Sequence, residues 1–140
     1  MTMPKEYDAT FTCALGRKWH ISFTTSKILK FCKETGKQLE QLLPNELNEA
    51  ELIELSFLGI QHHADAKGID YDMWIDTHLE GEAYSFARDA TAMGIINFTL
   101  PKLPEKTRIL LRHTLDDSLK IAGELTKKVE ESQEGGLGQT

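Results

Sequence analysis

The sequence predicts an α+β, mostly α fold, in which an N-terminal β-hairpin packs on a bundle of about four to five helices. Three observations lead to this fold class. Residues 7–23 alternate loosely between apolar and polar side chains, as strands do. Residues 24–100 repeat apolar side chains at helical spacing, and prolines at 101 and 104 separate one further helix. Two strands are only marginally stable alone, so the hairpin must pack on the helices.

The predicted hairpin joins residues 7–15 to residues 18–23 through a Gly-Arg pair. In the second strand Trp19, Ile21 and Phe23 share one face, because successive strand residues point to opposite sides. We expect this apolar face to be buried against the helices.

Capping residues predict where the helices begin and end. Hydroxyls in residues 24–26 are suited to cap a first helix, and Gly36 suits the left-handed position after its end. Asn48, with a glutamate three residues on, predicts a capping box for a helix that continues to Gly68. Asp70 is expected to cap the next, shorter helix.

A longer helix is predicted between residue 82 and the proline break. Its alanine and aromatic residues recur at helical spacing as far as Met93. Gly94 and the β-branched pair Ile95 and Ile96 are expected to weaken its second half, since these residue types have lower helix propensity.

Three regions are predicted: a hairpin-plus-helices domain at 1–104, a C-terminal helix at 105–131 and a flexible polar tail at 132–140. The C-terminal helix carries a heptad-like seam, formed by Leu111, Leu115, Ser118, Ala122, Leu125 and Val129. Further large apolar residues lie off this seam, namely Ile109, Leu110, Leu119 and Ile121. A helix that is apolar on several sides usually has several partners. We therefore predict that these four residues bind a partner, as do the edges of the hairpin, which can pair with another strand. The alternative is that the four residues complete the protein's own core.

The charge distribution is uneven. The net charge of −6 disfavours a general nucleic-acid partner, because phosphate contacts need a basic surface. Residues 1–37 hold 7 basic and 3 acidic residues, a balance of +4, whereas residues 38–90 hold 2 and 12, a balance of −10. Residues 91–140 hold 7 of each. A solvated surface explains this pattern; the alternative is attraction between opposite ends of two copies.

No combination of residues predicts catalysis, a metal or a cofactor. His62 and Asp65 share a helical face, but a zinc site needs three or four ligands. A metal or enzyme site that adds a remote histidine is the open alternative. Cys32 falls in helical phase with apolar neighbours, which favours a core thiol over a nucleophile. Cys13 and Cys32 are expected to be reduced, with a disulfide as the alternative.

We expect neither a membrane partner nor export. No apolar run approaches the roughly 20 residues that span a bilayer. The first residues, MTMPKEYDAT, lack a basic stretch followed by an apolar one, so we expect a cytoplasmic protein.

The order of elements resembles the tail assembly chaperones of long-tailed bacteriophages and prophages. In that family a strand pair leads into a helix with a Glu-Thr-Gly-like end, matched here by residues 34–36. A leucine-rich helix follows that has a small residue near its C-terminal half. The matching residues are Leu52, Ile53, Leu55, Leu58 and Gly59. The resemblance covers roughly residues 7–98.

The resemblance implies a non-enzymatic protein without catalytic residues. Such chaperones bind the tape measure protein, the tail tube protein or both while the tail assembles. They self-associate, act in the host cytoplasm and are absent from the mature virion, and many also exist in a longer, frameshifted form. The alternative is a small bacterial or prophage adaptor or regulatory protein that binds a different partner through its helices.

Overall fold

The structure, a computed structural model, describes the backbone of residues 6–137 and the side chains of residues 6–121. Within these residues the chain is mostly helical, with a two-stranded antiparallel sheet near its N-terminus and five α-helices. The predicted α+β, mostly α fold class is therefore confirmed. The chain divides into two units, Met1–Lys102 and Leu103–Thr140, and the first ends two residues before the predicted boundary at 104.

The hairpin joins β1 (Thr10–Thr12) to β2 (Lys18–His20), with Phe11 opposite Trp19. Gly16 lies in the connecting loop at a φ of 82°, a left-handed conformation that glycine adopts without steric penalty. Phe11 and Trp19 are both buried, so one face of the hairpin belongs to the core. Each strand is shorter than the sequence predicts.

The first helix, α1 (Thr25–Thr35), buries Ile28 and Phe31. Gly36 follows it at a φ of 75°, so the predicted helix end is confirmed. The predicted hydroxyl cap is wrong, because the Thr24 side chain accepts no capping hydrogen bond.

The second helix, α2 (Glu49–Leu58), begins with the predicted capping box. Asn48 Oδ1 accepts the Glu51 N–H at 2.8 Å, and Glu51 Oε1 accepts the Asn48 N–H at 3.0 Å. Both groups satisfy amides that the first turn of a helix leaves without intrahelical partners.

The prediction that α2 continues to Gly68 is wrong, since it ends at Leu58. The Gly59 carbonyl oxygen accepts the N–H of Ser22 at 3.2 Å, which ties the helix end to the chain leaving the hairpin. This long-range bond replaces the helical continuation that the local sequence favours.

Ile21 lies against both α2 and the longer helix α4 (Glu82–Thr99). A β-carbon at Gly94 would lie 2.9 Å from the Ile21 carbonyl oxygen, and one at Gly59 would lie 2.5 Å from Ile21 Cγ2. Gly94 does not interrupt α4, contrary to the expected weakening. It instead provides the space that Ile21, which is 1% exposed, occupies.

A short helix, α3 (Tyr71–Met73), continues directly into a π-helical turn at Trp74–His78. Asp70 Oδ1 accepts the Met73 N–H at 2.8 Å, which confirms the predicted cap. The π turn closes with the Leu79 N–H bonded to the carbonyl oxygen of Trp74 at 3.0 Å. It carries two buried rings, Trp74 and His78, into the core.

The last helix, α5, spans Glu105–Leu137. The predicted helix end at residue 131 is therefore wrong, whereas the flexibility predicted for residues 132–140 stays a prediction; residues 138–140 lie outside the described residues. The helix includes Gly135 and Gly136. A glycine disfavours a helix by only about 1 kcal/mol relative to alanine, so it need not end one.

Candidate protein-binding surface

The four predicted binding residues all lie on α5 and are all exposed. Ile109 is 56% exposed, Leu110 68%, Leu119 44% and Ile121 57%. Scattered exposed leucines are common on proteins, but four large aliphatic side chains within 13 residues of one helix mark a candidate binding surface.

The four residues are spread around the helix axis. Because successive residues turn by about 100°, Leu110 and Ile121 project within about 20° of each other. They lie about 16 Å apart along the axis. Ile109 and Leu119 project to other sides. A partner must therefore contact α5 on more than one side to cover all four, as happens when a helix packs between others.

Two residues of the predicted seam are less exposed than these four. Leu111 and Leu115 are half-buried, whereas Ser118 is exposed. The seam positions Ala122, Leu125 and Val129 lie outside the residues whose side chains are described.

His62 and His63 form hydrogen bonds to the second strand of the hairpin and the chain that follows it. His62 and His63 lie beyond the end of α2, with ring centroids 4.2 Å apart. His62 Nε2 contacts the Ser22 hydroxyl at 2.8 Å, and His63 Nε2 donates to the His20 carbonyl oxygen at 2.7 Å. Burial first, and then the neighbouring His63, lower the pKa of His62. Among the described residues, no three His, Cys, Asp or Glu side chains are placed to hold a metal ion.

Cys32 and Cys13 are both free thiols. Burial, followed by the charge of Glu40, raises the pKa of the Cys32 thiol, which disfavours the reactive thiolate. Cys32 packs against the buried cluster that contains Ile28 and Phe31, as its helical phase predicts.

A contact between the Cys13 thiol and a histidine ring was not predicted from the sequence. Cys13 Sγ lies 3.4 Å from Nδ1 of His78. Thiol–imidazole pairs activate cysteine nucleophiles in some enzymes, but Cys13 is only 4% exposed and His78 5%. The two residues are 65 positions apart, so no local sequence signal indicates the pair.

The lowered pKa of His78 leads us to expect that the protein loses stability in acid. Burial first, and then the charge of Arg17, lower the pKa of His78 from its ordinary value of 6.5. Below that value the unfolded chain takes up a proton that the folded chain resists, so the free energy of unfolding falls as the pH is lowered. Urea titrations between neutral and mildly acidic pH measure this slope.

The variant His78→Phe keeps an aromatic ring against Trp74 but cannot titrate, so its acid slope is expected to be smaller than that of the wild type. His113→Gln, at an exposed position on α5, provides the control and should keep the wild-type slope. An unchanged slope in His78→Phe contradicts this assignment.

No helix in the described part of the chain combines the length and apolarity needed to cross a bilayer. Comparison with known proteins gives no match, whether to a protein-family model, a curated protein or a solved structure.

Proposed function

We propose that this protein is a non-enzymatic tail assembly chaperone of a long-tailed bacteriophage or prophage, which binds the tape measure protein, the tail tube protein or both. The observation that carries the proposal is the exposure of Ile109, Leu110, Leu119 and Ile121 on α5. The choice of partners rests on the resemblance of residues 7–98 to that family. In this proposal α5 also joins copies of the chain into an oligomer that acts in the host cytoplasm and leaves before the virion matures.

The physical argument is that a holding protein needs apolar surface that exchanges partners. Full burial of a leucine or isoleucine side chain is worth about 1.5–3 kcal/mol. Because the four side chains are 44–68% exposed, burial by a partner gains about half of this value for each of them. The entropy lost on association offsets much of that gain, as suits a contact that exchanges partners. Exposed charged residues between them, such as Asp117 and Lys120, keep α5 compatible with water while it is unoccupied.

The double variant Leu110→Asp/Leu119→Asp tests the role of α5. Its light-scattering mass is expected to show weaker self-association than the wild type, by at least about tenfold in dissociation constant, because each substitution places a carboxylate in an apolar contact. Copurification with the tape measure and tail tube proteins of the same genome is expected to fall in parallel. Circular dichroism checks that the variant remains folded.

Leu29→Asp is the matched control, because Leu29 is also an exposed leucine on a helix, at 56%, but lies in the N-terminal unit. It should leave both measurements unchanged. A strictly monomeric wild type that copurifies with neither tail protein contradicts the proposal and favours an adaptor with a different partner. An unfolded double variant shows that the α5 leucines serve folding instead. The same measurement at raised salt concentration tests the charge distribution. Self-association that weakens with salt would show that residues 1–37, with a balance of +4, attract residues 38–90, with a balance of −10, between copies.

A further inference from the structure

One edge of β1 is open to a further strand. In an antiparallel pair, backbone groups point alternately towards the partner strand and away from it. The Cys13 N–H donates to the Arg17 carbonyl oxygen at 2.8 Å, and the Ile21 N–H donates to that of Ala9 at 2.9 Å. Odd-numbered residues of β1 therefore face β2, and the backbone groups of Thr10 and Thr12 face the opposite edge.

Part of this edge lacks hydrogen bonds. The Thr10 N–H donates to Asp8 Oδ1 at 3.0 Å, and the Ala14 N–H donates to the His78 carbonyl oxygen at 2.8 Å. Between these two bonds, the Thr10 carbonyl and both backbone groups of Thr12 have no partner among the described residues. An added strand binds to such a row of free groups.

The open edge lies beside a groove with acidic walls. Two surface cavities of about 230 and 500 Å³ share Phe86 as a lining residue, which is 50% exposed on α4. We call them together the β1 groove. Its charged lining residues are Asp8 and Asp89 in one cavity and Glu80 and Glu82 in the other. No lysine, arginine or histidine among the described residues lines either cavity.

We propose that the β1 groove binds an extended, basic segment of a partner protein, which adds to β1 as a third strand. The free groups of Thr10 and Thr12 supply the backbone hydrogen bonds, and the four carboxylates attract lysine or arginine side chains of the segment. Phe86 provides an apolar contact for their aliphatic stems. The groove lies in the N-terminal unit, so this inference goes beyond the binding role proposed for α5.

The acidic charge of the β1 groove favours a basic segment over a second copy of this chain as the occupant. Pairing of β1 with β1 of a second copy would bring two sets of four carboxylates together, and like charges across an interface oppose association. The hydrogen bonds from Thr10 lower the pKa of Asp8, its side-chain hydroxyl contributing most, so this carboxylate keeps its charge in acid. A basic segment avoids the repulsion and compensates the charge of the groove.

Synthetic peptides test the occupant with the full chain. The probe is a short fluorescent peptide that alternates lysine and valine, and its binding is measured by fluorescence anisotropy. Two matched peptides separate the contributions: one replaces each lysine by glutamate, and the other carries N-methyl groups on alternate backbone amides. We expect each to bind at least about fivefold more weakly, since one loses charge attraction and the other loses strand pairing. Amide NMR shifts on binding should centre on Thr10 and Thr12.

Paired variants test the groove itself. Thr12→Pro removes the outward N–H, which an edge strand tolerates, whereas Thr12→Val retains it. The proline variant is expected to lose peptide affinity and the valine variant to keep it. Glu80→Gln/Asp89→Asn should weaken binding about threefold or more, while Glu54→Gln/Asp76→Asn, at exposed positions outside both cavities, should not.

Three results overturn the proposal: equal binding of the N-methylated peptide, NMR shifts that avoid β1, or equal affinity in both charge-neutralised variants. Leu110→Asp/Leu119→Asp is expected to bind the peptide normally. The proposals for the β1 groove and for the α5 surface are therefore tested by separate measurements.

Discussion

Gly94→Ala is expected to lower the free energy of unfolding by up to about 2 kcal/mol, because overpacking a filled core costs about 1–3 kcal/mol and the gain in helix propensity offsets about 0.5–1 kcal/mol of it. The added β-carbon would lie 2.9 Å from the Ile21 carbonyl oxygen and 2.9 Å from Ile21 Cγ2. Helix propensity alone predicts that the substitution raises the free energy of unfolding, since alanine in a helix is favoured over glycine by about 0.5–1 kcal/mol. Urea unfolding followed by circular dichroism therefore decides between packing and propensity.

Gly59→Ala provides the comparison, because the β-carbon added there meets mainly the Ile21 side chain, at 2.5 Å from Cγ2. Ile21→Ala removes that methyl group but leaves the Ile21 carbonyl in place. We expect Gly59→Ala to be much less costly in the Ile21→Ala background, and Gly94→Ala to remain destabilising there. A stabilised Gly94→Ala variant would show that β2 and α4 separate more easily than the structure indicates.

The role of Gly94 illustrates what a single sequence conceals. Its effect on helix propensity is local and predicts a weakened helix, whereas its contact partner Ile21 is 73 positions away. The caps at Asn48, Asp70 and Gly36 were predicted because each depends on residues within a few positions. The early end of α2 was missed because it depends on a hydrogen bond from Ser22.

The same distinction applies to the two candidate surfaces. The α5 residues were singled out from helical spacing, which the sequence contains in full, and their role in binding stays a prediction. The edges of the hairpin were predicted as a candidate binding surface, but the acidic groove beside β1 was not. Its acidic walls combine Asp8 with residues 80–89, and only the packing of β1 on α4 brings these segments together.

Trp74→Ala is expected to cost about 3–5 kcal/mol, a large part of the stability of a small domain. Trp74 is fully buried. Its ring contacts Phe11 and Trp19 edge-on, at centroid distances of 5.9 and 5.5 Å, and stacks on His78 at 5.4 Å. Removing the indole therefore opens a cavity where the hairpin meets the π turn. Circular dichroism measures the change without depending on tryptophan fluorescence.

A second variant measures the contribution of the Trp74 indole hydrogen bond separately from that of its packing. Trp74 Nε1 donates to Ser56 Oγ at 3.0 Å, and both groups are buried. Ser56→Ala keeps the ring but leaves its N–H without this acceptor, so we expect a loss of about 1–3 kcal/mol. Met73→Ala, at the preceding and 43% exposed position, is the control and should cost less than about 1 kcal/mol. If Trp74→Ala is as stable as this control, Trp74 does not hold the hairpin on the helices.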